Sequence, residues 1–246
     1  AEALAAARVL ACREDAVATL DAEGFLDLAT GELTSAPADV VRTTTTGAAL
    51  GLLRNMAGSD SAADALGRNG AVLDAIVRIV AGEPSRAEAV NGMGLLAALT
   101  LRSDHRSDAV LISGGGRAIV RCMRRHAESR SVQRSGCLTI RNVMGRGTAD
   151  RRADVREDLV ELGVDELLKD AGRLAPDEAY AALREMGCED KVRLITLDEK
   201  GRVKKSSVEM FGDGSASNFR PVFEESTDIE KRIRMNEKSV EECIRF

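Results

Sequence analysis

Aromatic side chains are scarce in this chain, and their scarcity limits the kind of core that it can build. The 246 residues include no Trp, one Tyr and five Phe. Between Phe25 and Phe211 the one aromatic residue is Tyr180. A core made of Leu, Ala, Val and Ile suits short helices that approach one another closely. Four of the five Phe lie beyond residue 210, so they belong to a different part of the chain.

Other absences exclude whole classes of function. No apolar run reaches the ~18 residues that a membrane-spanning helix needs, so we expect no membrane partner. There are two histidines. Cys122 and His126 are spaced to contact one metal ion from one helix, but two further ligands at suitable spacing are missing. We therefore expect no catalytic residue, no metal and no cofactor, and we expect that the protein is not an enzyme.

The five cysteines, Cys12, Cys122, Cys137, Cys188 and Cys243, lie far apart in the chain. Their odd number and irregular spacing do not form a disulfide framework, which indicates a reducing compartment. We therefore predict a cytoplasmic location. The formal net charge of −5 argues against indiscriminate binding of nucleic acid by the whole chain.

A repeat of about 44 residues organises the chain. Residues 52–60 read LLRNMAGSD, and residues 96–104 read LAALTLRSD. A third copy runs through residues 139–145, where Asn142 follows Asn55 by 87 residues, which is about two periods. A fixed period of this length is typical of small helical units that bury their apolar faces by stacking into a solenoid.

Each copy predicts a short helix, a turn at glycine, a middle helix and a long helix. Gly70, Gly114 and Gly163 occupy one repeat position, where each can adopt the left-handed conformation that ends a helix. The stretch 1–36 predicts two helices, over residues 2–12 and 15–28. We accordingly divide the chain into N-terminal helices (1–38), the repeats (39–194) and a C-terminal segment (195–246).

This three-helix unit resembles the armadillo repeat, and the resemblance covers residues 39–194. It is most specific at residues 181–188, AALREMGC, followed by VRL at 192–194. The resemblance implies an all-α, right-handed helical solenoid. It also implies a non-enzymatic scaffold that binds other proteins along the groove lined by its long helices.

The resemblance further implies that an Asn on the long helix faces this groove. Asn55 and Asn142 occupy that position, beside Arg54 and Arg141. An amide can both donate to and accept from the backbone of an extended peptide. The middle copy has Leu99 or a near neighbour at this position, and Asn91 lies two turns earlier, so spacing does not make it a substitute. The alternative is that each Asn bonds only within its own helical neighbourhood.

Arginine is concentrated between residues 117 and 156, where eleven arginines accompany three acidic residues. The planar guanidinium binds carboxylates in a bidentate manner, so this composition favours a protein partner with an acidic segment. The arginines lack stacking aromatic residues beside them, which argues against nucleic acid. The alternative is an ordinary solvated surface. We define the basic region by Arg117, Arg121, Arg124, Arg125 and Arg134.

Residues 195–246 depart from the repeat pattern. Gly, Ser and Pro break any long element there, and we expect an extended segment that ends in an amphipathic helix. Its predicted anchors are the four Phe residues near the C-terminus and the apolar face of the predicted helix. They are Phe211, Phe219, Phe223 and Phe246, and Ile229, Ile233, Val240 and Ile244. They would dock on the solenoid itself or on a neighbouring chain.

Two interpretations of function follow. The first is an armadillo-type scaffold that binds other proteins through its groove, its basic region and its C-terminal segment. The second is a structural subunit that is permanently docked to neighbouring chains of a large complex, such as a ciliary or cytoskeletal assembly.

Overall fold

The computed structural model describes residues 2–35, 44–145 and 149–188. Most of these residues lie in thirteen α-helices, and none of them lies in a strand. In chain order they are α1 (Glu2–Leu10), α2 (Glu14–Ala22), α3 (Phe25–Ser35), α4 (Thr44–Met56), α5 (Asp60–Arg68), α6 (Gly70–Ala81), α7 (Arg86–Leu99), α8 (Asp104–Ile112), α9 (Gly115–Arg125), α10 (Arg130–Met144), α11 (Ala149–Glu161), α12 (Val164–Ala171) and α13 (Pro176–Glu185).

The helices recur in threes, which confirms the prediction of three-helix repeats. The units are α2–α4, α5–α7, α8–α10 and α11–α13, and α1 packs against α4 as α4 packs against α7. We call α2, α5, α8 and α11 the first-helix row, and α3, α6, α9 and α12 the second-helix row. The third-helix row, α1, α4, α7, α10 and α13, is held together by contacts between each pair of successive members.

Apolar faces explain why the repeats must stack. On α9, the buried residues Ala118, Ile119, Cys122 and Met123 lie on one face. The third helices bury still more of their surface, and every residue from Asn91 to Leu96 on α7 is buried. Such a helix is stable only between neighbours on several sides.

Glycine turns between the first and second helices were predicted correctly at two positions of three. Gly114 has φ 83° and Gly163 has φ 69°, both in the left-handed region. The prediction for Gly70 is wrong, because this residue is the first of α6. There the side chain of Asn69 caps the helix by accepting a hydrogen bond from the backbone N–H of Val72 at 3.2 Å, which replaces the glycine turn.

The N-terminal prediction of two helices is also wrong, because the chain forms three. Gly24 has φ 77° and separates α2 from α3, so the predicted helix over 15–28 is divided. The order α2, α3, α4 is the same as α5, α6, α7. The long helix that was predicted from residue 39 begins at Thr44 in the described part, and the residues before it, 36–43, lie outside the described ranges.

Candidate protein-binding surface

The exposed surface of the third-helix row carries one sign of charge over its three central helices. Helices α4, α7 and α10 contain one acidic residue, Glu88, and it is only 4 % exposed. Glu88 closes a capping box with Ser85, whose backbone N–H donates to Glu88 Oε2 at 2.7 Å. The same helices carry five exposed arginines: Arg54, Arg86, Arg130, Arg134 and Arg141. The outward charge of this surface is therefore positive.

Arg54 and Arg141 are the two arginines at equivalent repeat positions, one on α4 and one on α10. Both are exposed, and neither guanidinium has a hydrogen bond or an ion pair in the part of the chain that the structure describes. The equivalent residue of α7 is Ala98, which is half-buried. Two uncommitted cations thus lie on the helices either side of α7, which has an uncharged residue at the equivalent position.

A glycine on the next helix makes room for Arg54. A Cβ atom built on Gly94 would lie 2.5 Å from Nε and 2.8 Å from Cζ of Arg54, so the guanidinium lies across α7 at this point. Gly94 follows Arg54 by 40 residues. The same interval of 40 residues relates Ala98 on α7 to Leu138 on α10, and Arg141 on α10 to Ala181 on α13. In each of the three pairs one residue is large and the other is small.

The predicted groove asparagines bond the preceding helix of their own row. Asn55 donates its side-chain N–H to the backbone oxygen of Arg8 on α1 at 2.8 Å. Asn142 donates to the backbone oxygen of Ala97 and to Oγ1 of Thr100, both at 3.3 Å. Asn142 is 8 % exposed, whereas Asn55 is half-buried. Ligand binding by these amides stays a prediction, and Asn55 is the better placed of the two.

Asn91 also bonds the preceding helix of its row, as Asn55 and Asn142 do. The repeat spacing had not predicted this role for Asn91. Its side-chain N–H donates to the backbone oxygen of Gly47 on α4 at 2.9 Å, and it is 9 % exposed. Each of α4, α7 and α10 therefore joins its predecessor through an Asn amide, but α7 does so two turns nearer its N-terminus. On α7 the repeat position of Asn55 is occupied by Leu99, which is buried.

The predicted basic region divides between two rows. Arg117, Arg121, Arg124 and Arg125 lie on α9 of the second-helix row, and Arg134 lies on α10 of the third. On α9, Arg124 donates to the backbone oxygen of Leu162 at 2.7 Å, and Arg125 pairs with Glu83 at 2.8 Å. Arg117 and Arg121 are exposed and have no intramolecular hydrogen bond or ion pair among the described residues.

Arg134 is committed to its neighbour in the third-helix row. Its Nε lies 2.6 Å from Oε1 of Glu178 on α13. Burial raises the pKa of Glu178, but hydrogen bonds from Arg134 and from the backbone, with the charges of Arg134 and Arg130, outweigh it. The pKa of Glu178 is therefore held below its ordinary value, and the pair is ionised at neutral pH.

Sequence reasoning missed two arginines that join the first helices. Arg106 on α8 is 4 % exposed, and its Nη1 lies 2.6 Å from Oδ1 of Asp64 on α5. It also donates to the backbone oxygens of Leu99 at 2.9 Å and Leu101 at 2.8 Å, which lie at the end of α7.

The second such arginine repeats this arrangement one unit later. Arg151 on α11 pairs through Nε with Asp108 on α8 and donates to the backbone oxygen of Val143 at 2.9 Å. The spacings from Asp64 to Asp108 and from Arg106 to Arg151 are 44 and 45 residues, so the period itself carried the signal.

Two of the described cysteines, Cys122 and Cys137, are buried in the core. Burial raises the pKa of the Cys122 thiol and of the Cys137 thiol to about 12, so both are protonated at neutral pH. Within 2–35, 44–145 and 149–188, no group of three or more His, Cys, Asp and Glu side chains is placed to hold a metal ion. None of the helices in these ranges combines the length and the apolar character needed to cross a membrane.

Known structures share this architecture. Two engineered proteins determined by the Northeast Structural Genomics Consortium superpose with TM-scores of 0.64 and 0.60, at 19 % and 18 % identity. The matches cover 76 % and 75 % of this chain and 74 % and 72 % of theirs. A designed armadillo repeat protein in complex with the peptide (KR)4 gives a TM-score of 0.59 at 16 % identity, over 75 % of this chain and 74 % of its own. Neither a protein-family model nor a curated protein sequence matches the chain.

The three-helix units and these neighbours define the class. The chain forms an all-α, armadillo-type right-handed helical solenoid. The predicted fold class is thereby confirmed over the described helices. The predicted C-terminal segment, with its anchors from Phe211 to Phe246, lies outside the described residues.

Proposed function

We propose that this protein is a non-enzymatic scaffold that binds an acidic, extended segment of another protein along its third-helix row. The observation that supports the proposal is the charge of α4, α7 and α10, whose exposed charged residues are all arginines. Arg54 and Arg141 have no partner among the described residues, so they can pair with carboxylates without first breaking an internal contact. Guanidinium–carboxylate pairs are strong and directional hydrogen bonds.

One of the similar structures supports peptide binding, but its peptide carries the opposite charge to the one that we propose. The designed armadillo repeat protein is in complex with (KR)4, which is a basic peptide. A designed solenoid of this type can therefore bind a peptide. In this chain α4, α7 and α10 expose arginines and no acidic residue, so electrostatic complementarity selects a peptide of the opposite charge.

A direct test compares two extended peptides, one rich in Glu and one rich in Lys, by fluorescence anisotropy with the full chain. We expect the Glu-rich peptide to bind and the Lys-rich peptide not to bind. Raising the salt from about 0.1 M to about 1 M shortens the screening length from roughly 10 Å to roughly 3 Å and should weaken the binding strongly.

The variant Arg54→Ala/Arg141→Ala identifies the surface. Each lost charge-assisted hydrogen bond is worth about 1.5–3 kcal/mol, so the double variant should bind at least tenfold more weakly. Both residues are exposed, so the free energy of unfolding should change by less than about 0.5 kcal/mol. Preference for the Lys-rich peptide, or full affinity in the double variant, would refute the proposal.

The basic region and the C-terminal segment enter the proposal as secondary contacts. Arg117 and Arg121 are available for an acidic partner, whereas Arg124, Arg125 and Arg134 already have intramolecular partners. Docking of residues 195–246 through their Phe and Ile side chains stays a prediction.

A second candidate function is a permanent structural subunit, and exposed apolar residues at the N-terminal end favour it. Val9 and Leu10 on α1 are 66 % and 54 % exposed, and Leu28 on α3 is 53 % exposed. Large exposed apolar residues, which also include Ile112 at 86 % exposed, suit a stable contact with another chain. Purification from cells distinguishes the two functions, because a permanent subunit remains in one stoichiometric complex at high salt, whereas an electrostatically bound peptide dissociates.

Kinship and location are further proposals. Residues 181–188 and 192–194 resemble the last repeat of armadillo repeat-containing protein 6, and we propose that the chain is related to it. The cytoplasm, with a ciliary or cytoskeletal complex as one possible setting, stays the predicted location, which imaging of the tagged chain would test.

A further inference from the structure

The positions of Arg54 and Arg141 set a distance that a bound segment has to match. They are equivalent residues two steps apart in the third-helix row, on α4 and α10. Axes of packed helices lie about 8–10 Å apart, so the two steps cover roughly 16–20 Å. An extended chain advances about 3.3 Å per residue, and this distance therefore corresponds to about five or six residues.

The C-terminal half of the helix between them, α7, has no charged side chain, and Arg86 lies three turns away at its N-terminus. On α7 the half-buried residues are Val90, Ala97 and Ala98, and the only acid, Glu88, is buried. A carboxylate held above Ala97 and Ala98 would lose water without gaining a cation from those residues. Small uncharged residues fit this stretch better than acidic ones.

Arg54 is held in place by the shape of α7. Its stem and guanidinium occupy the space above Gly94 that any larger residue would fill. Prior positioning lowers the entropy that a long side chain loses when it binds. The interval of 40 residues places Ala181, another small residue, in the corresponding position for Arg141.

From this geometry we infer that Arg54 and Arg141 recognise two Asp or Glu side chains that stand about six residues apart in one extended segment, with small uncharged residues between them. The inference rests on the proposed function and adds to it the spacing of the recognised groups. Binding of acidic segments by net charge alone would show no such spacing.

The experiment uses the full chain and a set of peptides of equal length and equal charge. Each peptide has two Glu residues in a Gly, Ser and Ala background, separated by about three, six or nine positions. We expect affinity at the separation of six to exceed that at three and nine by about tenfold, because only the matched peptide engages both arginines. In Arg54→Ala and in Arg141→Ala the three peptides should bind alike.

A gain of specificity provides the second arm. Ala98→Arg, combined with Leu138→Ala to give the new side chain room, places an arginine one helix step from each original one. The peptide with a separation of about three should then bind as tightly as the peptide with six. The control is Ala65→Arg, which adds the same charge at an exposed site on α5 and should leave the preference for six unchanged.

The outcomes separate this inference from the function on which it rests. Equal binding of all acidic peptides by the wild type would overturn the spacing rule and leave the acidic-segment scaffold intact. Absence of binding to every acidic peptide would overturn the proposed function itself. An unchanged preference in Ala98→Arg/Leu138→Ala would likewise contradict the spacing rule.

Discussion

The first-helix and third-helix rows use arginine for opposite purposes. Arg106 is 4 % exposed, and Arg106 and Arg151 each bind a carboxylate of the preceding unit and a backbone oxygen at the end of a third helix. Arg54 and Arg141 are exposed and have no such partner in the described structure. The same residue type thus joins the repeats in the first-helix row, whereas Arg54 and Arg141 of the third-helix row remain available for a ligand, unlike Arg134, which pairs with Glu178.

This difference shows why arginine content alone did not locate the binding surface. The local excess of arginine led to residues 117–156, yet Arg124, Arg125 and Arg134 already serve contacts within the solenoid. What distinguishes a binding arginine is the absence of an internal acceptor together with the absence of acids on its own surface. Both properties depend on which helices become neighbours.

The largest effect should come from breaking the first-helix row. We expect Arg106→Ala to lower the free energy of unfolding by about 3 kcal/mol, because it removes a buried guanidinium that pairs with the half-exposed Asp64 and donates to two carbonyl oxygens at the end of α7. Urea denaturation measures this change. Arg141→Ala is the control from the third-helix row and should cost less than about 0.5 kcal/mol. Equal losses in the two variants would remove the distinction between the rows.

A smaller effect should distinguish the asparagines. Asn91→Ala leaves the Gly47 oxygen without its side-chain donor in a buried place and should cost about 1–2 kcal/mol. Asn55→Ala acts at a half-buried site and should cost less than about 1 kcal/mol while weakening peptide binding, if its amide also meets the ligand. A greater loss of unfolding free energy in Asn55→Ala than in Asn91→Ala would contradict this account, because Asn91 is the more buried of the two.

The three-helix unit and two of its turns could be predicted from the sequence, because the sequence repeats with a period of about 44 residues. The internal repeat led to the three-helix unit, and the glycine pattern led to the turns at Gly114 and Gly163. Gly70 was misassigned because a capping side chain, that of Asn69, can replace a left-handed glycine at the same turn. Gly24 was missed because the apolar pattern continued through it as one helix, whereas its φ of 77° ends α2. Local sequence does not decide between these two ways of ending a helix.

The binding surface was harder to predict, because it depends on pairings between units. The Asn and Arg positions of α4 and α10 were found from their repetition. Their hydrogen bonds were not, since Asn91 reaches the same kind of acceptor from a position two turns away. Arg106 could have been found by searching for residues of opposite charge that recur with the 44-residue period, because its partner Asp64 recurs as Asp108.

A glycine substitution sharpens the comparison without removing any charge. Gly94→Ala places a Cβ atom 2.5 Å from Nε of Arg54, so that flexible side chain must move away. Helix propensity should raise the free energy of unfolding by about 0.5–1 kcal/mol, while acidic-peptide affinity falls a few fold. Thermal denaturation and anisotropy together test this. Increased stability with unchanged affinity would show that the position of Arg54 above α7 is irrelevant to binding.

The smallest expected effect depends on pH. The pKa of Glu178 lies below its ordinary value in the folded chain, so its pairing with Arg134 stabilises the fold above the unfolded pKa of about 4.3 and is lost as pH falls through the folded pKa. The pair is exposed on the arginine side, so we expect a few tenths of a kcal/mol. The stability difference between wild type and Arg134→Ala should be present at pH 7 and vanish near pH 2.

The most direct test of the central claim reverses equal charges in two rows. Arg54→Glu/Arg141→Glu alters the third-helix row, and Arg117→Glu/Arg121→Glu alters α9 by the same net charge. We predict that the first pair lowers affinity for a Glu-rich extended peptide by more than tenfold, whereas the second changes it by less than about threefold through long-range charge alone. Equal losses in both variants, or a greater loss from the α9 pair, would contradict the assignment of binding to the third-helix row.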